Sequence, residues 1–341
     1  MTVYWMEGFD PQHPPSQIFA NLIGSPVNVD GGRGGGRRIE LPSESGGGVF
    51  DVLDTAGEVW IGWHGTLNTS TSSNKGFIMH VFTDGAETTA AVELLVVEDS
   101  QNIGFRFDQP IHTTSTAVRE EITVGANTPN PANEYVWQLR LRRGETEGEV
   151  AIFRDGEMVA EVTDVAQLAD SEGPITGFGS YHARRPSSGG PNLFLNDWWV
   201  ADENLGDARV VTIVPDADGF HTDGTPSEGS TLFDLLNDSP PDDGTTVTMG
   251  ADETVTFEMD TSELAAVSAL RCAAVMVQPR FSGPSNLDLV ARIDGTDHML
   301  GDVEVSSTDK RTSRFISEAD PSTTERWTAT GLAATEFGMG A

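Results

Sequence analysis

Pairs of acidic residues are the first groups to consider, because a retaining glycoside hydrolase needs two carboxyl groups about 5–5.5 Å apart. The nearest candidates are Glu93 and Glu98, the latter followed by Asp99. Their separation is odd, so on a regular strand Glu93 and Glu98 face opposite sides. Glu120 and Glu121 are adjacent and point apart for the same reason. The spacing therefore predicts no hydrolase site, and we expect most acids to lie on a solvated surface.

The chain also lacks the short signatures of nucleophilic and metal-dependent catalysis. It contains no Gly-x-Ser-x-Gly elbow. Its histidines form neither a His-Glu-x-x-His motif nor pairs at ligand spacing. His64 and His80 fall in or beside predicted strands, where structural histidines are more common than ligands. The sequence therefore predicts that the protein is not an enzyme, with no catalytic residue and no metal ligand.

Two polar segments could instead hold an ion. Residues 30–38 are glycine-rich, but they lead into a strand, whereas a phosphate loop ends in Gly-Lys-Ser/Thr and enters a helix. Residues 216–224 carry the oxygen ligands that calcium prefers. They depart from an EF-hand because Gly219 stands at the fourth position and Ser227 at the twelfth. We favour a surface loop for the first segment and an Asp/Gly turn for the second, where calcium stays open as an alternative; no other cofactor is expected.

Exposed aromatic side chains would indicate a carbohydrate site, because such rings stack on sugars. Neighbouring tryptophans divide between the two faces of a strand, since their spacings are odd: Trp60 with Trp63, and Trp198 with Trp199. Tyr181 and His182, beside the loop 184–191, form the best candidate for an exposed patch. Core packing is the more common role for aromatic residues. The ligand-binding residues therefore stay unknown from the sequence.

Composition narrows the function further. Fifty-three acidic residues against 20 basic ones give a net charge of −33, which repels a phosphate backbone and argues against nucleic acid binding. Only two of the bases are lysine; a saline habitat and arginine-rich codon usage explain this equally well. No apolar run reaches the ~20 residues of a membrane span, and the N terminus has no secretory features. We therefore expect synthesis in the cytoplasm and no membrane insertion.

The single cysteine, Cys272, lies in the apolar run Ala-Leu-Arg-Cys-Ala-Ala-Val-Met-Val. One cysteine excludes an intrachain disulfide and a cysteine-based zinc cluster. The apolar neighbours predict a small buried core residue.

Alternating apolar residues predict antiparallel strands along most of the chain. Residues 135–143 alternate cleanly, with four large apolar side chains on one face as in a half-buried strand: Tyr135, Trp137, Leu139 and Leu141. The pair Asp155-Gly156 separates two apolar runs, at 149–154 and 157–162, and predicts a type I′ hairpin turn. The best helical signal lies within residues 261–270, which are typical either of a turn or two of helix or of a lead-in to a strand. The other predicted strands are 49–53, 58–64, 77–82, 91–97, 103–107, 117–124, 177–181, 192–200, 208–214, 245–249, 253–259, 269–281, 287–293, 298–305, 312–318, 326–330 and 335–338.

A polar seam at residues 202–206 divides this series of strands. The chain has 341 residues, more than the roughly 250 at which single cores stop growing. We therefore predict an all-β protein of two domains: an N-terminal sandwich over residues 1–205, and a second, smaller antiparallel β-sandwich over residues 206–341.

Three features in order resemble the concanavalin A-like, laminin-G-type jelly roll: the strand with Trp137, the hairpin at Asp155-Gly156, and the closing strand at 193–202. That strand leads directly into Leu-Gly-Asp-Ala-Arg-Val-Val-Thr-Ile-Val-Pro at 205–215. The direct connection between these two pieces resembles a family of tailed-bacteriophage virion proteins. Residues 325–327 and 335–338 also resemble that family, so the resemblance covers nearly the whole chain. Insertions at 129–133 and 184–191 depart from that pattern. The resemblance brings no catalytic residues.

The resemblance implies a structural component of a tailed virus particle, exposed on the head or tail as a decoration, fibre or baseplate element and assembled in the host cytoplasm. The expected partners are capsid or tail proteins, further copies of the chain in a homo-oligomer such as a trimer, and a glycan of the host surface. A free-standing lectin-like protein that binds carbohydrate is the alternative. A glycoside hydrolase comes third.

Overall fold

A computed structural model describes residues 2–8, 21–30, 37–42, 45–50, 57–65, 77–83, 89–97, 102–110, 121–124, 134–182, 193–229, 231–236, 245–277, 285–305 and 313–341. The described residues fall into two compact units, one ending at Val210 and the other running from Val211 to Ala341. The sequence predicts the boundary after Leu205. The structure places it after Val210, so residues 206–210 belong to the first unit.

The first unit consists of two antiparallel sheets. Its strands are β1 (Val3–Glu7), β2 (Asn21–Ile23), β3 (Val27–Asp30), β4 (Arg37–Leu41), β5 (Ser45–Phe50), β6 (Glu58–Gly65), β7 (Phe77–Phe82), β8 (Thr89–Val97), β9 (Asn102–Pro110), β10 (Glu121–Val124), β11 (Tyr135–Arg142), β12 (Gly148–Arg154), β13 (Glu157–Val165), β14 (Gly177–His182) and β15 (Leu193–Ala201). The eight-stranded sheet has the order β13-β12-β11-β6-β15-β4-β3, with β1 paired to β15. The seven-stranded sheet has the order β10-β9-β8-β7-β14-β5-β2. Two short 3₁₀ turns, Ala166–Leu168 and Asp170–Glu172, follow β13.

These two sheets pack face to face over one apolar core. Trp5 and Trp198 from the eight-stranded sheet meet Phe178 from the seven-stranded sheet, with ring centroids 5.3 and 5.0 Å from that phenyl ring. The predicted apolar face of β11 is confirmed, since Trp137, Leu139 and Leu141 are fully buried in the core. Burial of each such side chain contributes about 1.5–3 kcal/mol. The first unit is therefore a jelly-roll sandwich, as predicted.

The hairpin between β12 and β13 is also confirmed. Asp155 and Gly156 have φ values of +50° and +83°, the left-handed backbone that a type I′ turn requires at both central positions. The Asp155 carboxylate accepts a hydrogen bond from the backbone N–H of Val136 at 3.0 Å. That bond holds the turn against β11.

The second unit is built around one five-stranded antiparallel sheet. Its strands are β16 (Pro215–Thr222), β17 (Thr225–Pro226), β18 (Val247–Thr248), β19 (Thr254–Met259), β20 (Ala273–Val277), β21 (Ser285–Ile293), β22 (Thr296–Val305), β23 (Ser313–Ser317) and β24 (Glu336–Gly340), with one α-helix, α1 (Ala329–Ala333). The main sheet has the order β16-β19-β24-β21-β22, and β17-β18 and β20-β23 form two small sheets. The 3₁₀ turns are Phe233–Leu235 and Ser262–Ala266; the second confirms the helical signal within 261–270.

The small elements of this unit cover one face of the main sheet, here called its inner face. Leu232 and Val247 pack on Val255 and Phe257, while Val275 of β20 packs on Leu289. Trp327 and Leu332 pack near Phe337 and Ala291. The result is a smaller antiparallel β-sandwich, and the predicted all-β fold class is confirmed.

Two strand predictions in the second half are wrong. Residues 208–214 pair with no strand among the described residues, because the Val210 N–H donates to the Asp197 side chain instead of to a β-ladder. Residues 326–330 lead into helix α1, because the Thr328 hydroxyl accepts the Gly331 N–H at 2.9 Å and caps the helix. Conversely, β16 runs through a stretch that the sequence assigned to a loop.

Most of the other predicted strands are confirmed within one to three residues at each end. Parts of several predictions, at 51–53, 117–120, 192, 278–281 and 312, lie outside the described residues. The same holds for the insertions at 129–133 and 184–191. None of the helices in the described residues has the length and apolar character that crossing a membrane requires.

Candidate functional site

The seven-stranded sheet carries a row of polar residues across four adjacent strands. His80 is the register partner of Glu93, Glu93 of Arg106, and Arg106 of Glu121. Along their strands, these positions alternate with core residues that are buried: Met79, Val81, Val92, Leu94 and Phe105. We call the four residues the polar row. They occupy backbone positions on the sheet face opposite the core.

The four residues of the polar row are far apart in the sequence, and only strand pairing makes them neighbours. Directly opposed residues in antiparallel strands have Cβ atoms about 4.5–5.5 Å apart. The length of the polar row is therefore roughly three of these cross-strand distances. Gly179 and Gly48 continue it on β14 and β5. Tyr181 stands two residues beyond Gly179 on the same strand. Arg106, at the centre of the row, was missed because only the strand register connects it to Glu93.

Several residues weighed in the sequence fall outside this row or outside the described residues. Glu98, Asp99 and Glu120 lie outside the described residues, so the strand faces that these three acids occupy stay predictions. His64 is half-buried on β6, with Nδ1 3.6 Å from a carboxylate oxygen of Glu134. The glycine-rich run at 31–36 connects β3 to β4, which pair as an antiparallel hairpin; a phosphate loop would lead into a helix instead.

The tryptophans divide between the two faces as predicted, yet both outward-facing indoles are buried too. Trp60, only 8% exposed, stacks near Phe153 at 5.2 Å and donates from Nε1 to Glu58 at 2.7 Å. Trp199 lies over Gly62, where an added Cβ would come within 2.1 Å of the indole. These aromatic residues therefore do not provide an exposed platform for a ligand.

Arginines cover the same outer face of the eight-stranded sheet. Arg140 bridges Glu161 at 2.6 Å and Glu149 at 3.4 Å. Arg142 bridges Glu149 at 3.0 Å and Glu58 at 2.9 Å, and its pKa is raised, chiefly by the hydrogen bond to Glu58. Such a surface network organises side chains more than it stabilises the fold.

The junction segment after β15 is fastened to the first unit by side chains. Asp197 adopts a left-handed backbone (φ +48°) that produces a bulge in β15. Its buried carboxylate accepts the Val210 N–H at 2.9 Å. Gln138, also buried, donates to the Gly206 carbonyl at 2.9 Å. The closing strand and the segment that follows it in sequence therefore meet in space.

We expect Asp197→Ala to release this segment. A hydrogen bond to a charged group contributes about 1.5–3 kcal/mol, so local opening at Val210 should become roughly tenfold more frequent or greater. Trypsin should then cleave after the exposed Arg209 at least about tenfold faster in the full-length protein, as measured by mass spectrometry over time. Asp197→Asn keeps an oxygen acceptor and tolerates the left-handed backbone but loses the charge, so its cleavage rate should lie between that of the wild type and that of Asp197→Ala. Equal rates for both variants would contradict this assignment.

In the second unit, a bulge of β16 crosses the outer face of the main sheet. The register between β16 and β19 is interrupted from Asp218 to Thr222. Within the bulge, the Phe220 N–H donates to Glu336 Oε2 at 2.8 Å, and the His221 N–H donates to Thr256 Oγ1 at 3.0 Å. Glycine is required at 219, because a Cβ there would lie 2.5 Å from both acceptor atoms.

Charged groups hold the two side chains of this bulge. The guanidinium carbon of Arg292 lies 3.8 Å from the ring centroid of Phe220. Asp297 accepts from Arg292 at 2.6 Å and pairs with His221 Nε2 at 2.8 Å. Desolvation pushes the pKa of Asp297 up, but the bonds from Arg292 and His221 outweigh it and leave that pKa below its usual value.

Two of the three carboxylates of the calcium candidate at 216–224 bind backbone groups. Asp218 Oδ1 accepts the N–H groups of Leu232 and Phe233 at 2.8 and 2.7 Å, and Asp223 accepts the Thr254 N–H at 3.3 Å. No group of three or more metal-binding side chains occurs among the described residues. Most of the segment is strand β16, so the Asp/Gly turn that we favoured is wrong for most of its length.

Cys272 is half-buried rather than fully buried. Desolvation, helped by the charge of Glu318, raises the pKa of its thiol to about 12. The thiol is therefore protonated near neutral pH and is a poor nucleophile.

We expect iodoacetamide to alkylate Cys272 slowly in the native protein. With an unfolded pKa near 8.5, the thiolate fraction at pH 8 should be roughly 1,000-fold higher in urea than in the folded state. The measurement is the alkylation rate at pH 8 with and without urea, followed by the mass shift at the single cysteine. A native rate within tenfold of the unfolded rate would contradict the assigned pKa.

Comparisons with known proteins give little beyond this geometry. No protein family model and no curated protein sequence matches the chain. Among solved structures, the chain is similar to CG-16, a homodimeric agglutinin from chicken liver, at 12% identity over 46% of this chain and 99% of that one, with a TM-score of 0.31. It is also similar to a sialidase, at 10% identity over 59% and 19% with a TM-score of 0.38. A third similarity is to the CBM2 module of the Lactobacillus casei BL23 phage J-1 evolved Dit, at 10% identity over 48% and 68% with a TM-score of 0.31. At these scores the similarities carry no argument about function.

Proposed function

We propose that the protein is a non-enzymatic structural component of a tailed virus particle, exposed on its head or tail as a decoration, fibre or baseplate element. In this role it packs against capsid or tail proteins and against further copies of itself, after assembly in the host cytoplasm. Contact with a glycan of the host surface belongs to the same proposal.

The fastened junction is the observation that carries this proposal. The sequence resemblance to particle proteins rests on a closing strand joined directly to residues 205–215. In the structure, Asp197 of that strand binds Val210, and Gln138 binds Gly206. The closing strand and residues 205–215 both resemble the particle proteins, and they also bond to each other. This contact supports the proposal that the chain has the architecture of those proteins more strongly than two separate sequence resemblances would.

Particle purification tests the proposal. Density-gradient fractions of assembled particles should contain this chain at a constant ratio to the other particle proteins, measured by quantitative mass spectrometry. Antibodies raised against the purified protein should label intact particles in the electron microscope, which tests surface exposure. Recovery of the chain solely in the soluble fraction would overturn the proposal.

A lectin-like carbohydrate binder is the second candidate, and the polar row favours it. The strand register brings residue types of both charge signs to neighbouring backbone positions, and such residue types are common in sites for ligands with many hydroxyl groups. Glycan-array binding by the full-length protein, lost in Arg106→Ala and retained in Met158→Ala, would favour this candidate. Cleavage of a bound polysaccharide that is lost in Glu93→Gln would favour the hydrolase instead.

A further inference from the structure

The outer face of the main sheet in the second unit is the face that does not pack against the core of that unit. Along β19, β24 and β21, inward residues alternate with outward ones, and the register places Thr256, Gly338, Val290 and Met299 in one outward row. Phe220, on the bulge of β16, and Met299 are each 67% exposed. They are the two most exposed large apolar side chains among the described residues.

Phe220 is held in place although it is exposed. Arg292 covers one side of its ring, and Glu336 fixes its backbone N–H. An aromatic ring that is already ordered loses little conformational freedom when a partner binds. Exposed Phe and Met beside Arg also have the composition of interface residues.

The accessible charge on this face is negative. Asp288 and Asp302 are direct register partners across β21 and β22, and opposed like charges destabilise a sheet. The Asp297 side chain is 41% exposed, whereas that of Arg292 is 13% exposed and bound to Asp297. A second copy of this acidic face would therefore be repelled by it, whereas a cationic partner would be attracted.

We propose that this surface, formed by Phe220, Met299, Asp288, Asp302 and Asp297 and here called the Phe220 face, docks a basic segment of a partner protein. An arginine of that segment stacks on the side of the Phe220 ring opposite Arg292, and neighbouring cationic side chains meet Asp288 and Asp302. Arginine is preferred to lysine because its planar guanidinium stacks on an aromatic face. The inference does not depend on the particle role.

Peptide binding to the full-length protein tests the Phe220 face. The probes are hexa-arginine and hexa-lysine peptides, titrated calorimetrically at 150 mM NaCl, near physiological ionic strength. We expect hexa-arginine to bind more tightly than hexa-lysine. Phe220→Ala should weaken hexa-arginine by about two- to fivefold, the range of an exposed cation–π contact, and remove the preference. Phe220→Tyr keeps the ring and should keep the preference.

Two further variants separate this face from the general acidity of the chain. Asp302→Asn should weaken both peptides, while Met158→Ala, which removes an exposed apolar side chain from the first unit, should change neither. If Phe220→Ala binds both peptides like the wild type, charge alone explains binding and the proposal is overturned. It is also overturned if the wild type self-associates in sedimentation and Phe220→Ala abolishes that association, because the occupant is then a second copy.

Discussion

Trp198→Ala should destabilise the first unit by about 3–5 kcal/mol, the usual cost of truncating a large buried aromatic residue. Trp198 is fully buried, with its ring centroid 5.5 Å from Trp5 and 5.0 Å from Phe178. These edge-to-face contacts contribute beyond the area that they bury. Because Phe178 belongs to the opposite sheet, the cavity would lie where the two halves of the sandwich meet.

Urea unfolding followed by tryptophan fluorescence measures this effect. Six of the seven tryptophans precede Val210, so the signal follows the first unit, and its midpoint should fall with little change in slope. Met158→Ala is the matched control, because Met158 is 55% exposed and surface changes stay within about 0.5 kcal/mol. Similar losses for the two variants would show that Trp198 does not tie the sheets together.

Gly338→Ala should disrupt the second unit. A Cβ at Gly338 would lie 1.9 Å from the carbonyl oxygen of Val255 and 2.8 Å from Thr256 Cα. Both are backbone atoms of the neighbouring strand β19, so the clash cannot be relieved by turning a side chain. Overpacking typically costs about 1–3 kcal/mol and more when the backbone must move. We expect a loss at or above the upper end of that range.

Gly340→Ala provides a control two residues along the same strand. There, the nearest atom to an added Cβ is the Thr254 hydroxyl oxygen at 3.4 Å, an ordinary contact. Scanning calorimetry of both variants should show a much lower unfolding temperature for Gly338→Ala and one near wild type for Gly340→Ala. Equal shifts would contradict the close approach of β24 to β19.

The sequence by itself determined the fold class and much of the strand pattern. The face of β11 and the turn at Asp155-Gly156 follow from local rules, because side chains alternate along a strand and few residue types adopt left-handed backbone. Local rules failed at 208–214 and 326–330. There, backbone N–H groups donate to side chains instead of to a neighbouring strand: Val210 to Asp197, and Gly331 to Thr328. Asp197 and Thr328 decided these two segments.

Both candidate surfaces were decided by the tertiary structure. His80, Glu93, Arg106 and Glu121 form one row only through the register of four strands, and no spacing along the chain encodes that register. The Phe220 face likewise depends on a bulge that places Phe220 beside Arg292, 72 positions later in the sequence. The physical reason is that strand pairing, and not sequence distance, sets which outward side chains become neighbours.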